Sequence, residues 1–559
     1  MKIKTLIIIL LFQTLLSQAQ IFQGTVVSSK TNQPISGVKV VLVEDDIETT
    51  TNSLGFFSLT ANNNSPKTLT AELGESENYM FFEERNKASE SSISIKLRPK
   101  VKSTATLRWE TYMGLNGTGD NCNAYNSPSI PNDINWNLNF KTTNVFGDLA
   151  NNVSYSRRDP SKIIEVDGTY YVYYTRGEAT SSHWFNTNWG GYIPGTTSEN
   201  DKAFTWDYCD VYYATSTDGY TWTEQGAAVL RGDTGSYDDR SVFTPEILAH
   251  NGKYYLVYQV VKSPYIERVK NNVGMAVSDS PNGPFVKLDE PILRPTNNGK
   301  WKSGSTQRED VEKKGDFDSH KVHDPCLVVY NNKFYLYYKG ERMGEEKFCG
   351  QREIKWGVAI SENPTGPYIK SEYNPITNTG HEVSVWPYKN GIAIIQHLDG
   401  PEKGTIQYAE DGLNFEIKGK ATGVAEALGI AVSGSNGNHP GTGIYWGLAH
   451  KYVWGNGITG GKNYMERFDL DINYNLLFVD NFEISGISIY PNPVKDTLNI
   501  KGFKKGTINI YNNNGTILNT YKASNLKEQK IDVSNLPKGI YLLSFKNNER
   551  IYASKIVKK

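Results

Sequence analysis

The sequence predicts an all-β chain: a five-bladed β-propeller flanked by two small β-sandwich domains. Three observations carry that prediction. A two-part strand pattern recurs through the middle of the chain. Fifty Gly and 23 Pro cut the 559 residues into short elements. Aromatic side chains, which favour strands, reach 12%. The same arithmetic limits function. Lys and Arg number 59 against 60 Asp and Glu, a net charge of −1, so there is no basic face for nucleic acid or an anionic membrane. The length exceeds what one core supports, and roughly 150 residues per domain gives three or four units.

The elements follow in order. Residues 1–20 read as a signal peptide: Lys2 and Lys4 form a basic start, Leu6 to Phe12 an apolar run, and Ser17-Gln18-Ala19 a small-residue cleavage site. No later stretch is long and apolar enough to predict a membrane span. Residues 21–98 carry three strand-and-turn segments, 22–27, 34–40 and 51–57, and predict a β-sandwich without catalytic residues, a spacer or interaction module. Residues 99–150 are a lead-in rich in Gly, Asn and Pro, with no helical period.

From 151 to 478 the repeat dominates. Its first half appears as IIEVDGTYYVYYTR (163–176), ILAHNGKYYLVYQV (247–260), LVVYNNKFYLYYKG (327–340) and VWPYKNGIAIIQHL (385–398). Its second half appears at 210–226, 273–288, 356–371 and 406–419, and GIYWGLAHKY (443–452) suggests a fifth unit. Four-stranded repeats at this spacing are the signature of a propeller. Residues 485–559 alternate apolar and polar positions between Asn, Gly and Pro turns, which predicts the second sandwich. Cys122, Cys209, Cys326 and Cys349 allow three disulfide pairings, and sequence does not choose among them or exclude buried thiols.

The repeats align on a proline: Asp159-Pro160, Thr244-Pro245-Glu246 and Asp324-Pro325, with His381-Glu382 at the matching place in the fourth. These positions are expected just before each innermost strand, where a propeller faces its central channel. Like charges converging there repel, so a set of channel acids points to a sugar or cation site. An inverting glycosidase needs a base and an acid separated by roughly 6.5–9.5 Å, and different blades supply that spacing. Asp159 follows Arg157 and Arg158, either of which would lower its pKa. Glu382 and Asp324 would raise that of His381, which makes the imidazole a candidate acid; the alternative is another carboxyl. His323 is placed to orient Asp324. His450 is a candidate channel residue or ligand for a divalent cation, and no cofactor is otherwise required. His183, with Trp184 and Trp189, lies on a loop that could cap the site. Residues Lys302 to Ser319 read as a solvated, charged loop near its rim.

Three segments resemble known families. Pro491-Asn492-Pro493 and Leu536-Pro537-Lys538-Gly539-Ile540-Tyr541 resemble the type IX secretion sorting domain, and residues 22–98 resemble the carboxypeptidase regulatory-like domain. The strings 156–161 (SRRDPS), 237–246 (YDDRSVFTPE), 323–325 (HDP) and 380–383 (GHEV) resemble glycoside hydrolase family 117 across the middle of the chain. That resemblance implies a secreted, exo-acting, inverting α-1,3-(3,6-anhydro)-L-galactosidase that breaks down red-algal agar. It implies Asp159 as general base, Asp324 and Glu382 as the further channel acids, and His381 as general acid. Thr244 and Gln259 fall where the family contacts substrate, beside Glu246 and His323, and Trp206 is the candidate stacking platform. The implied partners are a galactan oligosaccharide and the type IX machinery. The family's agar-acting members dimerise through a swapped helical arm; a homodimer here rests on resemblance alone, since 99–150 show no such arm. The rival readings are a family 43-like arabinosidase or xylosidase, another exo-galactosidase on the same fold, and an inactive surface lectin.

Overall fold

A computed structural model describes residues 20–74, 78–113, 129–133, 136–150, 155–178, 207–264, 268–305, 310–344, 354–378, 380–398, 402–424, 426–431, 444–455, 458–471, 487–512, 516–523, 527–546 and 551–559. The signal-peptide segment, Cys122, Cys349, His183 with its tryptophan loop, and Trp206 lie outside the described residues. The chain divides into two compact units, Met1–Ile472 and Asn473–Lys559.

The first unit begins with the expected sandwich. One sheet runs Phe56–Thr60, Ile21–Ser28, Glu90–Leu97; the other runs Ile47–Thr50, Lys39–Leu42, Lys67–Glu72, Phe82–Lys87. Phe22, Val26, Val40, Leu42, Phe57, Leu69 and Ile95 fill the space between them, the inward half of each alternating strand. This domain is more than a tether. Glu72 pairs with Lys313, Lys100 with Asp316 at 2.8 Å, and Arg98 with Glu372 at 3.2 Å, so three ion pairs fasten it to the repeat region.

The lead-in departs from expectation twice. Thr104–Met113 is an α-helix. Ser103 caps it, its Oγ accepting the Thr106 N–H at 3.2 Å. Arg108 anchors it: Nε and Nη2 each donate to one oxygen of Glu402 at 3.0 Å, and Nη1 donates to the Phe415 carbonyl at 2.6 Å. A ten-residue helix is marginal alone, and a tertiary ion pair leaves no periodic trace in sequence. Beyond it, Leu138–Asn144 joins the last propeller sheet. It pairs antiparallel with Ile458–Leu470 and parallel with Glu416–Thr422, so a strand preceding the repeats closes their final sheet.

The repeats form β-propeller sheets of antiparallel meanders. The first runs Tyr155–Arg158, Thr169–Glu178, Asp210–Ser216, Thr221–Val229, the second Ser241–His250, Lys253–Val261, Asn272–Ser278, Val286–Lys287. The third is Lys321–Tyr330, Lys333–Glu341, Lys355–Ser361, Ile369–Lys370. An eight-stranded sheet then holds His381–Tyr388, Gly391–Leu398, Thr405–Ala409 and Glu416–Thr422, continued through Leu138–Asn144 to Ile458–Leu470, Trp446–Gly455 and Glu426–Ile430. The aromatic excess packs between sheets: Tyr173, Tyr174, Tyr258, Tyr337, Tyr338, Trp222 and Trp356 are among the largest fully buried side chains.

Of the expected solvated loop 302–319, Lys302 to Gly304 are exposed, but the described residues from 310 on are mostly tucked against the fold. Lys300–Trp301 and Val311–Lys313 pair as a short hairpin. Asp318 is buried beneath it, accepting the Tyr338 hydroxyl at 2.9 Å and facing the Lys370 ammonium at 2.6 Å. A charged composition does not betray a structural role when each acid finds its own cation. Of the described cysteines, Cys209 and Cys326 are both free and buried.

The second unit repeats the sandwich plan. Ser488–Tyr490, Thr497–Lys501 and Glu528–Asp532 face a four-stranded sheet of Ile517–Ala523, Gly506–Tyr511, Gly539–Lys546 and Ile551–Lys558. Leu498, Ile500, Ile508, Ile510, Leu543 and Phe545 form its core.

Candidate active site

The Pro-marked positions lie within the innermost strands, at bulges, rather than before them. Register shifts between Phe243 and Glu246 and between His323 and Cys326. In the first repeat the same interruption separates Tyr155–Arg158 from Ile164–Val166. The residue before each proline adopts a left-handed conformation: Asp159 φ 52°, Thr244 φ 48°, Asp324 φ 46°. Proline offers no N–H to the ladder, and the left-handed residue bends the strand, so each carboxyl or hydroxyl is turned out of the sheet. Ala427, φ 49°, is the matching position of the last innermost strand, where register shifts between Glu426 and Gly429. With neither proline nor acid, it carries no sequence signal.

These bends meet at one cavity of about 510 Å³ including its open mouth, lined by Asp159, Lys162, Thr244, Glu246, Asp324 and Cys326, among others. The structure thus unites most of the acids inferred from sequence. Asp159 is buried, and its Oδ2 accepts from Arg158 Nε at 2.8 Å and from the Thr175 hydroxyl at 3.1 Å. Burial works against its charge, but Arg158 and His450 outweigh it and hold the carboxyl well below the usual range. Of the two neighbouring arginines only Arg158 does this; Arg157 turns to Glu224 at 3.0 Å. Asp324 pairs with Lys339. Glu246 is tied inward, to Lys162 Nζ at 3.2 Å and to the backbone N–H groups of Lys162 and Ile247, each 3.2 Å. Burial raises its pKa, with Lys162 opposing.

Thr244 lines the cavity and donates its backbone N–H to Thr175 Oγ1 at 2.8 Å, which links it to Asp159. Gln259 is buried at the ladder position between Phe243 and Val273, outside the cavity lining. His323 is buried beside Glu341, its Nε2 4.0 Å from Oε2; burial and Lys339 push its pKa well below the ordinary value. His381 starts its innermost strand opposite Leu398. Glu382 follows in the same strand, and its side chain lies outside the described residues.

His450 stands between two carboxylates. In the neutral ring its Nδ1 accepts the Asp159 amide N–H at 3.1 Å, and in the protonated ring that nitrogen faces Asp159 Oδ1 at 3.4 Å instead, while Nε2 is 3.5 Å from Glu426 Oε2. Burial disfavours its charged form, yet Asp159 and Glu426 prevail and raise its pKa. Both ring nitrogens are directed at protein groups, and no cluster of three or more His, Cys, Asp or Glu among the described residues could hold a metal. Sequence reasoning offered Arg157 or Arg158 as the partner of Asp159, and the structure selects Arg158; it missed Lys162, Lys339 and Glu426, because charged groups recruited from elsewhere in the fold follow no repeat position.

Among solved structures, the chain is 33% identical to a family 117 glycoside hydrolase produced by the marine bacterium Zobellia galactanivorans. The match covers 61% of this chain and 92% of that one, with a TM-score of 0.48. The chain belongs to glycoside hydrolase family 117. The match to family 117 is accompanied by three domain-level matches: glycosyl hydrolases family 43 over 149–301, a CarboxypepD_reg-like domain over 22–106, and a secretion system C-terminal sorting domain over 488–559. A family 43 enzyme from Xanthomonas citri, solved with xylose, is 14% identical over 58% of this chain and 89% of its own, at TM-score 0.35. A family 43 β-xylosidase/α-arabinofuranosidase from a compost microbial metagenome is 16% identical over 68% and 97%, at TM-score 0.36. No curated protein matches. The family 117 protein is thus a glycoside hydrolase, and its sorting domain directs it to secretion or surface attachment by the type IX route. No described helix is long and apolar enough to cross a membrane.

Proposed function

We propose that the cavity releases 3,6-anhydro-L-galactose, or a closely related sugar, from the non-reducing end of red-algal galactan oligosaccharides by inverting hydrolysis of an α-1,3 bond. One observation carries the mechanistic part: Asp159 is the buried carboxylate at the cavity wall, kept ionised by Arg158 and His450. An ionised carboxylate fixed on a rigid strand bend can take a proton from water while its orientation costs nothing at the moment of reaction. So low a pKa gives less driving force for proton transfer, which leaves the base competent across the whole working pH range at reduced strength.

Asp324, on the third innermost strand, holds the sugar; Lys339 keeps it from repelling Asp159. Glu382 and His381 come from the fourth innermost strand, and His381 serves as general acid. Inversion requires that acid to stand across the sugar from the base, and strands from different repeats meet that requirement. Thr244 contacts the substrate beside Asp159. Glu246, tied to Lys162, shapes the floor. The family resemblance supplies the sugar and the linkage; cavity chemistry supplies the acid–base arrangement. A second reading, an arabinosidase or xylosidase, is favoured by the family 43 match over 149–301.

Hydrolysis of neoagaro-, carrageenan- and porphyran-derived oligosaccharides, alongside aryl-arabinosides and aryl-xylosides, decides between them. Release of a single anhydrosugar from one galactan series supports the proposal. Turnover of the aryl-pentosides alone transfers the enzyme to the second reading.

A further inference from the structure

The cavity floor holds a cation of its own. Lys162 lies three residues beyond Asp159, and its side chain is 9% exposed. Its ammonium reaches Glu246 Oε1 at 3.2 Å, Cys326 Sγ at 3.2 Å and the Leu327 carbonyl at 3.4 Å. An ammonium has three protons, and here three acceptors meet them. The Cys326 thiol continues the chain, donating to the Val385 carbonyl at 3.6 Å. Glu246 belongs to the second innermost strand, Cys326 and Leu327 to the third, and Val385 to the fourth. A single side chain from the first repeat thereby ties the innermost strands of the second and third directly, and that of the fourth through Cys326.

We propose that the Lys162 ammonium is the resident cation of the propeller cavity, a positioning group that cross-braces its floor and fixes the spacing of Asp159 and Asp324. Cys326 stands two residues after Asp324, as Lys162 stands three after Asp159, so the N–H···S contact links the two bends that aim the carboxyls. The charges are matched locally: Arg158 serves Asp159, Lys339 serves Asp324, and Lys162 serves Glu246. Burial pushes the Cys326 thiol up to about 11, so at neutral pH the sulfur is a neutral acceptor with its proton on Val385, consistent with both contacts. Removing the ammonium would leave a carboxylate, a thiol and a carbonyl around a vacant position of amine size.

The test is chemical rescue of Lys162→Ala with methylammonium chloride, against tetramethylammonium chloride at equal ionic strength. Melting of the full secreted chain is read without substrate, and kcat is read on whichever oligosaccharide the wild type hydrolyses. The kcat arm rests on the proposed function; the melting arm does not, so failure of one is separable from failure of the other. The expected result is a lowered melting temperature and a kcat loss on the order of 100-fold, the scale of an ångström-level misplacement. Methylammonium restores a large part of both and tetramethylammonium neither; the wild type responds to neither salt nor to EDTA. Should Lys162→Ala not fold, the double variant Lys162→Met with Glu246→Gln removes both buried charges. It is expected to fold and still to lose kcat. Equal effects of the two salts on Lys162→Ala, wild-type kcat in the double variant, or EDTA-sensitive, calcium-restored wild-type activity would each overturn the proposal.

Discussion

Replacing Arg158 with methionine tests how the base is held. The guanidinium Nε lies 2.8 Å from Asp159 Oδ2, and the two side chains are 9% and 6% exposed. Opposite charges centred about 4 Å apart attract by about 4 kcal/mol at an effective dielectric of about 20, and removing one partner of a buried pair costs about 3–5 kcal/mol. Thr175 and His450 remain in contact with the carboxyl, so the lower end, about 3 kcal/mol at pH 7, is expected. The sign with pH follows from the depressed pKa of Asp159. Such a group stabilises the fold above its unfolded pKa, about 3.9, and that contribution disappears as pH falls through the folded value. In Arg158→Met, burial is less opposed, the carboxyl titrates higher, and protonation relieves the unpaired charge. Urea unfolding of wild type and variant from pH 4 to pH 8 should therefore show a gap widest at pH 8 and narrowing toward pH 4. In parallel, the variant's kcat/KM should acquire an acidic limb that the wild type lacks over this range. A gap under about 1 kcal/mol at pH 7, or one that does not change with pH, would refute the assignment of Arg158 as the group that holds the base ionised.

Two further predictions concern other residues. Asp159→Asn and Glu382→Gln should each abolish turnover; Asp159→Asn, which leaves the buried Arg158 guanidinium without its carboxylate, should also lose about 3 kcal/mol of stability while still folding, and near-normal kcat in either would remove that residue from the catalytic set. Arg108→Ala strands the fully buried Glu402 carboxylate; thermal unfolding should report a loss of about 3–5 kcal/mol, and a loss below about 1 kcal/mol would show that the helix does not depend on this anchor.

Local periodicity explains what sequence made legible. Alternating aromatic strands such as 169–178 and 333–341 announce themselves over ten residues, and an Asp-Pro or Thr-Pro bend marks the interruption that turns a side chain inward. Asp159, Thr244, Glu246 and Asp324 were readable for that reason and do line one cavity. Ala427 makes the same bend with φ 49° yet carries an unremarkable residue, so its strand and Glu426 were invisible. Leu138–Asn144 owes its place to pairing with residues more than 300 positions away, which no local pattern encodes. The cations Lys162 and Lys339 were hidden by another route: a lysine reads as solvated until geometry brings a carboxylate or sulfur to it. Gln259 shows the converse, a position carried over from a family that the fold buries in the ladder.

The central claim is inverting hydrolysis with Asp159 as base, and the configuration of the first-formed product tests it most directly. Proton NMR of the anomeric region, recorded from the first moments of reaction on the oligosaccharide that the enzyme turns over, should show the β-anomer appearing before mutarotation from an α-linked substrate. First appearance of the α-anomer would mean a covalent intermediate and contradict the account.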